Sequence, residues 1–227
     1  MIYTKICQTN ELDNFTSNDF SELAVDIEGD NLSRHGKIFT IQVYAPSIDT
    51  FYLFDCKTLS YSDVRLALNN VFSSNSVIKY FFDCRSDVDA LYHQYNIELK
   101  NVLDVQLFEV GFRKCSGSGN SRYYSGLYKT LNTYSYDVGI TSSELAVKNK
   151  ISQQFKSKNY DIDLNDQDVL KYLAIDVVYL KKLYDLFFMK IGHGKIFRSI
   201  QIETQKRMEI WKKAHFVNDR SNAISAI

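Results

Sequence analysis

The sequence predicts an α/β fold in which a mixed β-sheet is flanked by α-helices, and two observations carry this prediction. Three strand-like runs follow one another directly at residues 22–28, 37–45 and 50–56, with Pro46 in the second connecting turn, so they form a meander. From residue 60 onward, helical spacing alternates with short apolar runs of strand length. This order is typical of a sheet that carries helices on its faces.

The individual elements follow from local periodicity along the chain. YTKIC at residues 3–7 predicts a short first strand, and ELAVDIEG shows the period of two that is expected of the second. SVIKYFFD is a continuous apolar run of strand length between two helical patterns. RKCSGSGNSR at residues 113–122 is rich in Gly and Ser and predicts a loop. The remaining elements are an amphipathic C-terminal helix from residue 195 and helices near residues 125–134, 141–150 and 166–190.

The charge balance and the cysteines argue against some classes of protein. The 227 residues contain 27 Lys and Arg against 27 Asp and Glu, so an anionic ligand would need a local basic patch or bound metal. The four cysteines show no CxxC spacing, which argues against a zinc knot. Neither a leader-like start nor an apolar run of about 18 residues is visible. We therefore expect an intracellular protein, cytoplasmic or nuclear, without a membrane segment.

Two acids lie two residues apart at the end of the second strand. Because side chains i and i+2 of a strand point the same way, Asp26 and Glu28 face one site, while Leu23, Val25 and Ile27 face the opposite side. Two buried carboxylates lose solvation and repel each other, so a hard divalent cation is a fitting partner for them. Taken alone, the D-x-E pattern favours the simpler interpretation of a solvated strand end.

Three more side chains carry possible chemistry. Tyr172 and Asp176 are four residues apart in a predicted helix, so they share one face, with Asp176 at the border of the buried stripe. Asp87 lies at the predicted start of a helix that follows a buried strand. The simpler interpretations are a core-edge tyrosine for Tyr172 and a helix cap or dipole partner for Asp87.

In this order, the three patterns resemble the exonuclease motifs of the DEDDy 3′–5′ exonucleases, which include ribonuclease D, the Werner-type exonuclease domain and the Egalitarian-like proteins. The matching pieces are VDIEGD with Asp26 and Glu28, SDVDAL with Asp87, and YLAID with Tyr172 and Asp176. The segment KYFFDCRSDVDALYHQYNIELKNVLDVQL looks most like the Egalitarian-like branch. The ordered triple is far more specific than any one of its motifs.

The resemblance implies a ribonuclease H-like fold and a two-metal-ion 3′–5′ exonuclease. Asp26, Glu28, Asp87 and Asp176 would bind two Mg²⁺ or Mn²⁺ ions, and Tyr172 would orient the attacking water. Two such ions about 4 Å apart can stabilise both the attacking and the leaving oxygen at a phosphate. The implied reaction releases 5′-mononucleotides, and we expect single-stranded RNA to be favoured over DNA.

The sequence departs from the family near the second and third motifs. Relatives often carry a tryptophan and an R-P-L stretch before the last motif and a histidine before the second, where this chain has YDIDLNDQDVL and KYFFDC. These departures bear on substrate docking and turnover and leave the metal ligands unchanged. Asp83 and Asp89 flank Asp87 and are alternative ligands, but the spacing to Leu91 favours Asp87.

Two further functions stay open: a catalytically weak or inactive RNA-binding adaptor with an exonuclease fold, and a DNA 3′–5′ exonuclease. The four acids and the tyrosine favour an enzyme, because a scaffold has no physical need for a repulsive carboxylate cluster. Discrimination between RNA and DNA depends on contacts to the 2′-hydroxyl that the sequence does not reveal. The candidate substrate contacts are basic and aromatic loop residues, namely Arg113, Lys114, Arg122 and Tyr123.

We expect an exonuclease domain at residues 1–192 and a helical extension and tail at residues 193–227. The C-terminal helix carries Phe197 and Ile200 near one face, and Trp211 falls close to the same face. It could clamp nucleic acid, pack on the domain, or bind a protein partner or a second copy of the chain. Its aromatic residues favour packing.

Overall fold

A computed structural model describes residues 1–118, 120–155, 162–213, 225 and 227. Six strands lie in these residues: β1 Ile2–Ile6, β2 Glu22–Asp30, β3 Lys37–Ala45, β4 Thr50–Asp55, β5 Ile78–Phe81 and β6 Val102–Asp104. They form one mixed sheet in the order β1-β4-β3-β2-β5-β6. The strands β2, β3 and β4 are the predicted antiparallel meander, and β1, β5 and β6 pair in parallel with their neighbours.

Helices surround this sheet. Those in the described part of the chain are α1 Asp13–Thr16, α2 Tyr61–Phe72, α3 Arg85–Tyr95, α4 Val105–Ser116, α5 Leu127–Thr133, α6 Ser135–Val138, α7 Ser142–Phe155, α8 Gln167–Val178, α9 Leu180–Ile191 and α10 Lys195–Met208. A short 3₁₀ helix, Ile210–Lys212, follows α10. The mixed sheet with flanking helices confirms the predicted α/β fold.

Each face of the sheet carries its own apolar cluster. Leu23, Val25 and Ile27 of β2 pack with α2 and α3 on one face. Ala24 of the same strand packs with α4, α8 and α9 on the other face. Because neighbouring side chains of a strand alternate, Asp26 shares the face of Ala24, which is the face that α8 covers.

One predicted helix is divided in the structure. In place of a single helix over residues 166–190, α8 ends at Val178 and α9 begins at Leu180, with Tyr179 between them at φ −94° and ψ −7°. Neither Pro nor Gly marks the break, so the sequence shows no local signal for it. Its physical origin is tertiary packing, because α8 packs on β2, β3 and α7 while α9 packs along α4.

The C-terminal helix α10 packs on the rest of the chain with its predicted apolar face. Ile200 and Thr204 are buried, and Phe197 packs on aromatic rings of α4 and α9. Beyond α10, the ring of Trp211 stacks on Tyr92 of α3, with the ring centroids 3.6 Å apart. These contacts favour packing on the domain among the roles considered for this helix.

The division between residues 1–192 and 193–227 remains a prediction about the organisation of the chain. The tail that was expected after the C-terminal helix lies outside the described residues beyond position 213, apart from residues 225 and 227. None of the helices in the described ranges is long and apolar enough to cross a membrane.

Candidate active site

Strand β2 delivers two carboxylates to a polar patch on the sheet. In the antiparallel pairing with β3, Asp26 lies opposite Gln42 and Glu28 lies opposite Thr40. Gln42 and Thr40 are fully buried, and the Gln42 side-chain amide donates to Thr40 Oγ1 at 2.6 Å. Neither residue was among the predicted site residues, although both are polar positions that alternate with apolar ones in KIFTIQVYA.

A β-bulge follows Glu28 directly. The register with β3 shifts between Glu28 and Gly29. Gly29 approaches β3 so closely that an added Cβ atom would lie 2.2 Å from the Lys37 carbonyl oxygen. Bulges bend a strand and re-aim the neighbouring side chains. Glycine at this position therefore permits the close approach of the two strands directly after Glu28.

Replacing Gly29 by Ala should destabilise the protein by about 1–3 kcal/mol, because the two strands must separate to admit the methyl group. Urea unfolding measures the change. Gly126→Ala is the matched control, since Gly126 has a φ of −77° and open space at the Cβ position. We expect the control to cost less than about 1 kcal/mol. Equal unfolding midpoints for the two variants would contradict the close approach of the strands.

Helix α8 brings a third carboxylate to the same place. Its first turn is capped by the Asp166 side chain, which accepts from the N–H of Asp168. One turn apart on α8, Tyr172 and Asp176 are both buried. One carboxylate oxygen from each of Asp26, Glu28 and Asp176 lies within 4.8 Å of the others. The fold thus brings Asp176 to the neighbouring acids Asp26 and Glu28, from which it is remote in sequence.

The chemistry of Asp176 fits a cation site. Asp176 is 3% exposed, and its Oδ2 atom has no hydrogen-bond partner among the residues described. Its other oxygen, Oδ1, accepts from Lys148 Nζ. A buried carboxylate oxygen without a partner is unfavourable, and a hard divalent cation would supply that partner. Asp26, Glu28 and Asp176 therefore fit a Mg²⁺ or Mn²⁺ site.

Burial dominates the electrostatics of these acids. Burial, followed by the charge of Glu28, raises the pKa of Asp26 well above its ordinary value. Burial also raises the pKa of Glu28, against the opposing effects of the hydrogen bond from Tyr172 and of the Lys148 charge. The metal-free cluster is therefore electrostatically unfavourable, and divalent cations that bind it would stabilise the fold.

Tyr172 is held against one of the acids. Its hydroxyl donates to Glu28 Oε1 at 2.9 Å, and its ring stacks on Phe155 with centroids 5.0 Å apart. Burial, then the charges of Glu28 and Asp26, raise the pKa of the Tyr172 hydroxyl well above its usual value. The phenol therefore stays protonated at neutral pH.

The structure distinguishes the three acids around the second motif. Two of them form ion pairs with arginines: Asp89 with Arg34 at 2.7 Å and Asp83 with Arg85 at 2.5 Å. Asp87 makes no ion pair within the described residues. Burial, and after it the charge of Asp26, raises the pKa of Asp87 well above its usual value. Asp87 is thus near enough to the cluster for its pKa to respond to the charge of Asp26, although it lies outside the group of three whose oxygens are within 4.8 Å.

A lysine that the sequence analysis missed completes the site. Lys148 of α7 is 4% exposed, and besides its contact with Asp176 its Nζ lies 4.7 Å from the centroid of the Tyr172 ring. Burial lowers the pKa of Lys148 to about 8, although the neighbouring acids oppose the shift. A signal was present, because Lys148 is three residues from both Leu145 and Ile151 and so lies on the apolar stripe of its helix.

The predicted loop at residues 113–122 begins later in the structure. Of the proposed substrate contacts, Arg113 and Lys114 lie in the last turn of α4, which continues to Ser116, and Arg122 and Tyr123 lie in the segment that follows it. Arg113 donates from Nε to Glu109 Oε1 at 2.7 Å and from Nη2 to the Tyr123 carbonyl at 2.8 Å, so its guanidinium fastens the loop. Lys114 donates to a backbone carbonyl. The Arg122 guanidinium lies 5.6 Å from the centroid of the exposed Tyr123 ring. Of the four residues, this pair is the better placed to meet a ligand.

Fold and site together define a class of nuclease. The sequence profile of a 3′–5′ exonuclease family matches residues 3–191. The chain belongs to this 3′–5′ exonuclease family. The match confirms the resemblance that the three sequence motifs indicated.

Among known proteins, the chain is similar to the piRNA biogenesis protein EXD1 of several animals. It is 39% identical to the Mus musculus protein over 90 residues, which are 40% of this chain and 15% of that protein. It is 29% identical to the Xenopus laevis protein over 162 residues, which are 71% of this chain and 36% of that protein. The chain therefore matches little more than a third of these relatives at most.

Solved structures confirm the ribonuclease H-like fold. RNase D of Trypanosoma brucei in complex with GMP aligns with a TM-score of 0.74 at 22% identity, covering 98% of this chain and 68% of that chain. The same enzyme in complex with RNA U12 aligns with a TM-score of 0.71 at 20% identity, covering 98% of this chain and 76% of that chain. At these identities the likeness concerns the fold.

Proposed function

We propose that this protein is a Mg²⁺- or Mn²⁺-dependent 3′–5′ exonuclease that releases 5′-mononucleotides from single-stranded RNA. One observation carries the proposal: Asp26, Glu28 and Asp176 converge within 4.8 Å beside the hydroxyl of Tyr172. A partly buried cluster of like charges weakens the fold and has no structural use. Metal-dependent hydrolysis of a phosphodiester gives such a cluster a purpose.

The proposed metal ligands are three acids that lie close together and a fourth that lies farther away. Asp26, Glu28 and Asp176 would hold a divalent ion directly, and Asp87, whose pKa responds to the charge of Asp26, would complete the set for two ions. Members of this nuclease family generally use divalent metal ions. When bound, such ions stabilise charge at the phosphate and lower the pKa of water.

Orientation is the role we assign to Tyr172. Because its hydroxyl hydrogen is directed at Glu28, the lone pairs of the oxygen remain able to accept a hydrogen bond from the attacking water. The raised pKa of the phenol excludes it as a general base at neutral pH. Stacking on Phe155 fixes the plane of the ring, so the position of the hydroxyl is set before substrate binds.

The preference for RNA rests on the relatives and on the loop after α4. EXD1 is named for piRNA biogenesis, and the trypanosomal RNase D has been crystallised with RNA U12. In this chain, Arg122 and the exposed ring of Tyr123 lie side by side and suit a phosphate and an unstacked base. Unstacked bases are a property of single strands.

Incubating the purified chain with 5′-labelled RNA and DNA oligonucleotides tests the proposal. We expect Mn²⁺ to produce a ladder of RNA products that shorten one nucleotide at a time, and a chelator to abolish it. The same RNA labelled at its 3′ end should release a labelled mononucleotide first. Ladders on DNA alone would assign a DNA exonuclease instead, and no ladder on any substrate would contradict an enzymatic function.

A second candidate is an RNA-binding adaptor with an exonuclease fold, and the position of Lys148 favours it. The Lys148 ammonium already pairs with Asp176, so the acids have a counter-charge within the protein. An adaptor built this way would bind RNA without taking up metal. Titration with Mn²⁺ separates the two candidates, because the exonuclease must bind the ion and the adaptor need not.

A further inference from the structure

Lys148 occupies the position from which a cation would meet the acids. Its Nζ contacts Asp176 Oδ1, and its charge lowers the pKa of both Asp26 and Glu28 against the effect of burial. In the part of the chain that the structure describes, no other basic side chain forms an ion pair with these three acids. Among the described residues, the positive charge of the site therefore comes from one lysine on α7.

The contact is costly to build, so it needs an explanation. An ammonium that is 4% exposed has lost nearly all of its hydration, and its long side chain has lost its rotamer freedom. Its partner Asp176 remains half satisfied, because Oδ2 has no partner within the described residues. A structural ion pair would be expected to satisfy both oxygens of the acid. The arrangement instead leaves one buried oxygen without a partner in a cluster that carries surplus negative charge.

We propose that Lys148 is a resident counter-ion that a divalent cation must displace from Asp176 before the metal site fills. The inference rests on the proposed metal-dependent function and adds a regulator of metal loading to it. An ammonium on Oδ1 and a divalent ion on Oδ2 of the same carboxylate would lie only a few ångströms apart and repel each other, so the two cations compete at Asp176. Lys148 thereby holds the metal-free site together and lowers its affinity for metal.

The ring of Tyr172 already contacts the Lys148 ammonium and can remain in contact with it after the ammonium leaves Asp176. Lys148 Nζ lies 4.7 Å from the centroid of the Tyr172 ring, within the range of a cation–π contact. The flexible four-carbon stem of lysine permits a small movement of Nζ away from Asp176 without a change in the helix. Displacement therefore requires a side-chain rearrangement and no movement of α7.

Calorimetric titration of the full chain with Mn²⁺ tests this competition. We expect Lys148→Met to bind Mn²⁺ at least about tenfold more tightly than the unmodified protein, because a competing charge has been removed from the site. The matched control is Lys150→Met, which removes the same charge from the same helix at a position paired with the exposed Asp168. The control should leave the affinity unchanged within about twofold.

Equal or weaker Mn²⁺ binding by Lys148→Met would overturn the inference while leaving the metal-dependent function intact. If neither protein takes up Mn²⁺, both the inference and the proposed function fail. Should Lys148→Met not fold, as circular dichroism would show, Lys148→Gln keeps the test open, because it is polar, neutral and of similar shape. We expect Lys148→Gln to tighten Mn²⁺ binding as well, and unchanged binding by this folded variant would equally overturn the inference.

Discussion

Asp26→Asn should lose at least about 10³-fold of the metal-dependent exonuclease activity and yet unfold at a higher temperature. The loss follows because Asp26 is a proposed metal ligand, and metal ions contribute several kcal/mol of charge stabilisation, with each tenfold in rate worth about 1.4 kcal/mol. The gain follows because the substitution removes one partly buried negative charge from a repulsive cluster. We expect the free energy of unfolding without metal to rise by about 0.5–2 kcal/mol.

The opposite signs of the two effects make this prediction specific. Asp30→Asn is the matched control, because Asp30 lies on the same strand but is exposed and outside the cluster. It should change neither activity nor stability appreciably. Thermal unfolding in a chelating buffer, together with the RNA ladder assay in Mn²⁺, gives both readings. Undiminished activity in Asp26→Asn would point to a contaminating nuclease, and a lower unfolding temperature would show that the charge of Asp26 stabilises the fold.

Arg207→Met should destabilise the protein by about 3–5 kcal/mol, the range for breaking a buried ion pair from one side. Arg207 of α10 is 2% exposed, and its Nη1 donates to Asp104 Oδ2 at 2.8 Å and to Gln106 Oε1 at 2.9 Å. The fully buried Asp104 also accepts from the backbone N–H groups of Asp83 and Cys84, at the turn that starts α3. Removing Arg207 leaves this carboxylate without its cation, which urea unfolding would detect.

The pH dependence of the same variant checks the cause. Burial raises the pKa of Asp104, but the charge of Arg207 and the N–H groups of Asp83 and Cys84 outweigh burial and hold the pKa below its ordinary value. A carboxyl with a depressed folded-state pKa stabilises the fold above its unfolded pKa, and this contribution disappears as the pH falls through the folded value. The stability difference between the unmodified protein and Arg207→Met should therefore be largest near neutral pH and shrink in acid.

Lys206→Met is the control for loss of a positive charge from α10. Lys206 is the neighbouring residue, but it is exposed and pairs only with Glu203 of the same helix in the described structure. We expect its replacement to change the stability by less than about 0.5 kcal/mol at any pH. An Arg207→Met variant that behaves like this control would show that α10 is held by its apolar face alone.

The sequence was sufficient where a periodic pattern and a chemical pattern coincide. Asp26 and Glu28 could be assigned to one face of a strand because Leu23, Val25 and Ile27 fix the opposite face. Tyr172 and Asp176 could be assigned to one face of a helix in the same way. These are local statements, and local periodicity suffices for them.

Contacts between distant segments could not be read in this way. Lys148 pairs with Asp176 from another helix, and Arg207 reaches Asp104 across 103 residues. No period in the sequence encodes such a pairing. The helix break at Tyr179 also has no signal in the sequence, because it arises from the different packing partners of α8 and α9. Only one local signal existed. Lys148 lies on the apolar stripe of its helix, which indicates a buried lysine, and a buried lysine needs an acid near it.

The stacking of Trp211 on Tyr92 gives the protein a built-in optical probe. Trp211 is the single tryptophan of the chain, so fluorescence that is excited selectively in tryptophan comes from this one side chain. Trp211 lies at the contact between the segment after α10 and helix α3, which carries Asp87. Emission from this one indole thus reports the docking of the C-terminal segment separately from the melting of the sheet.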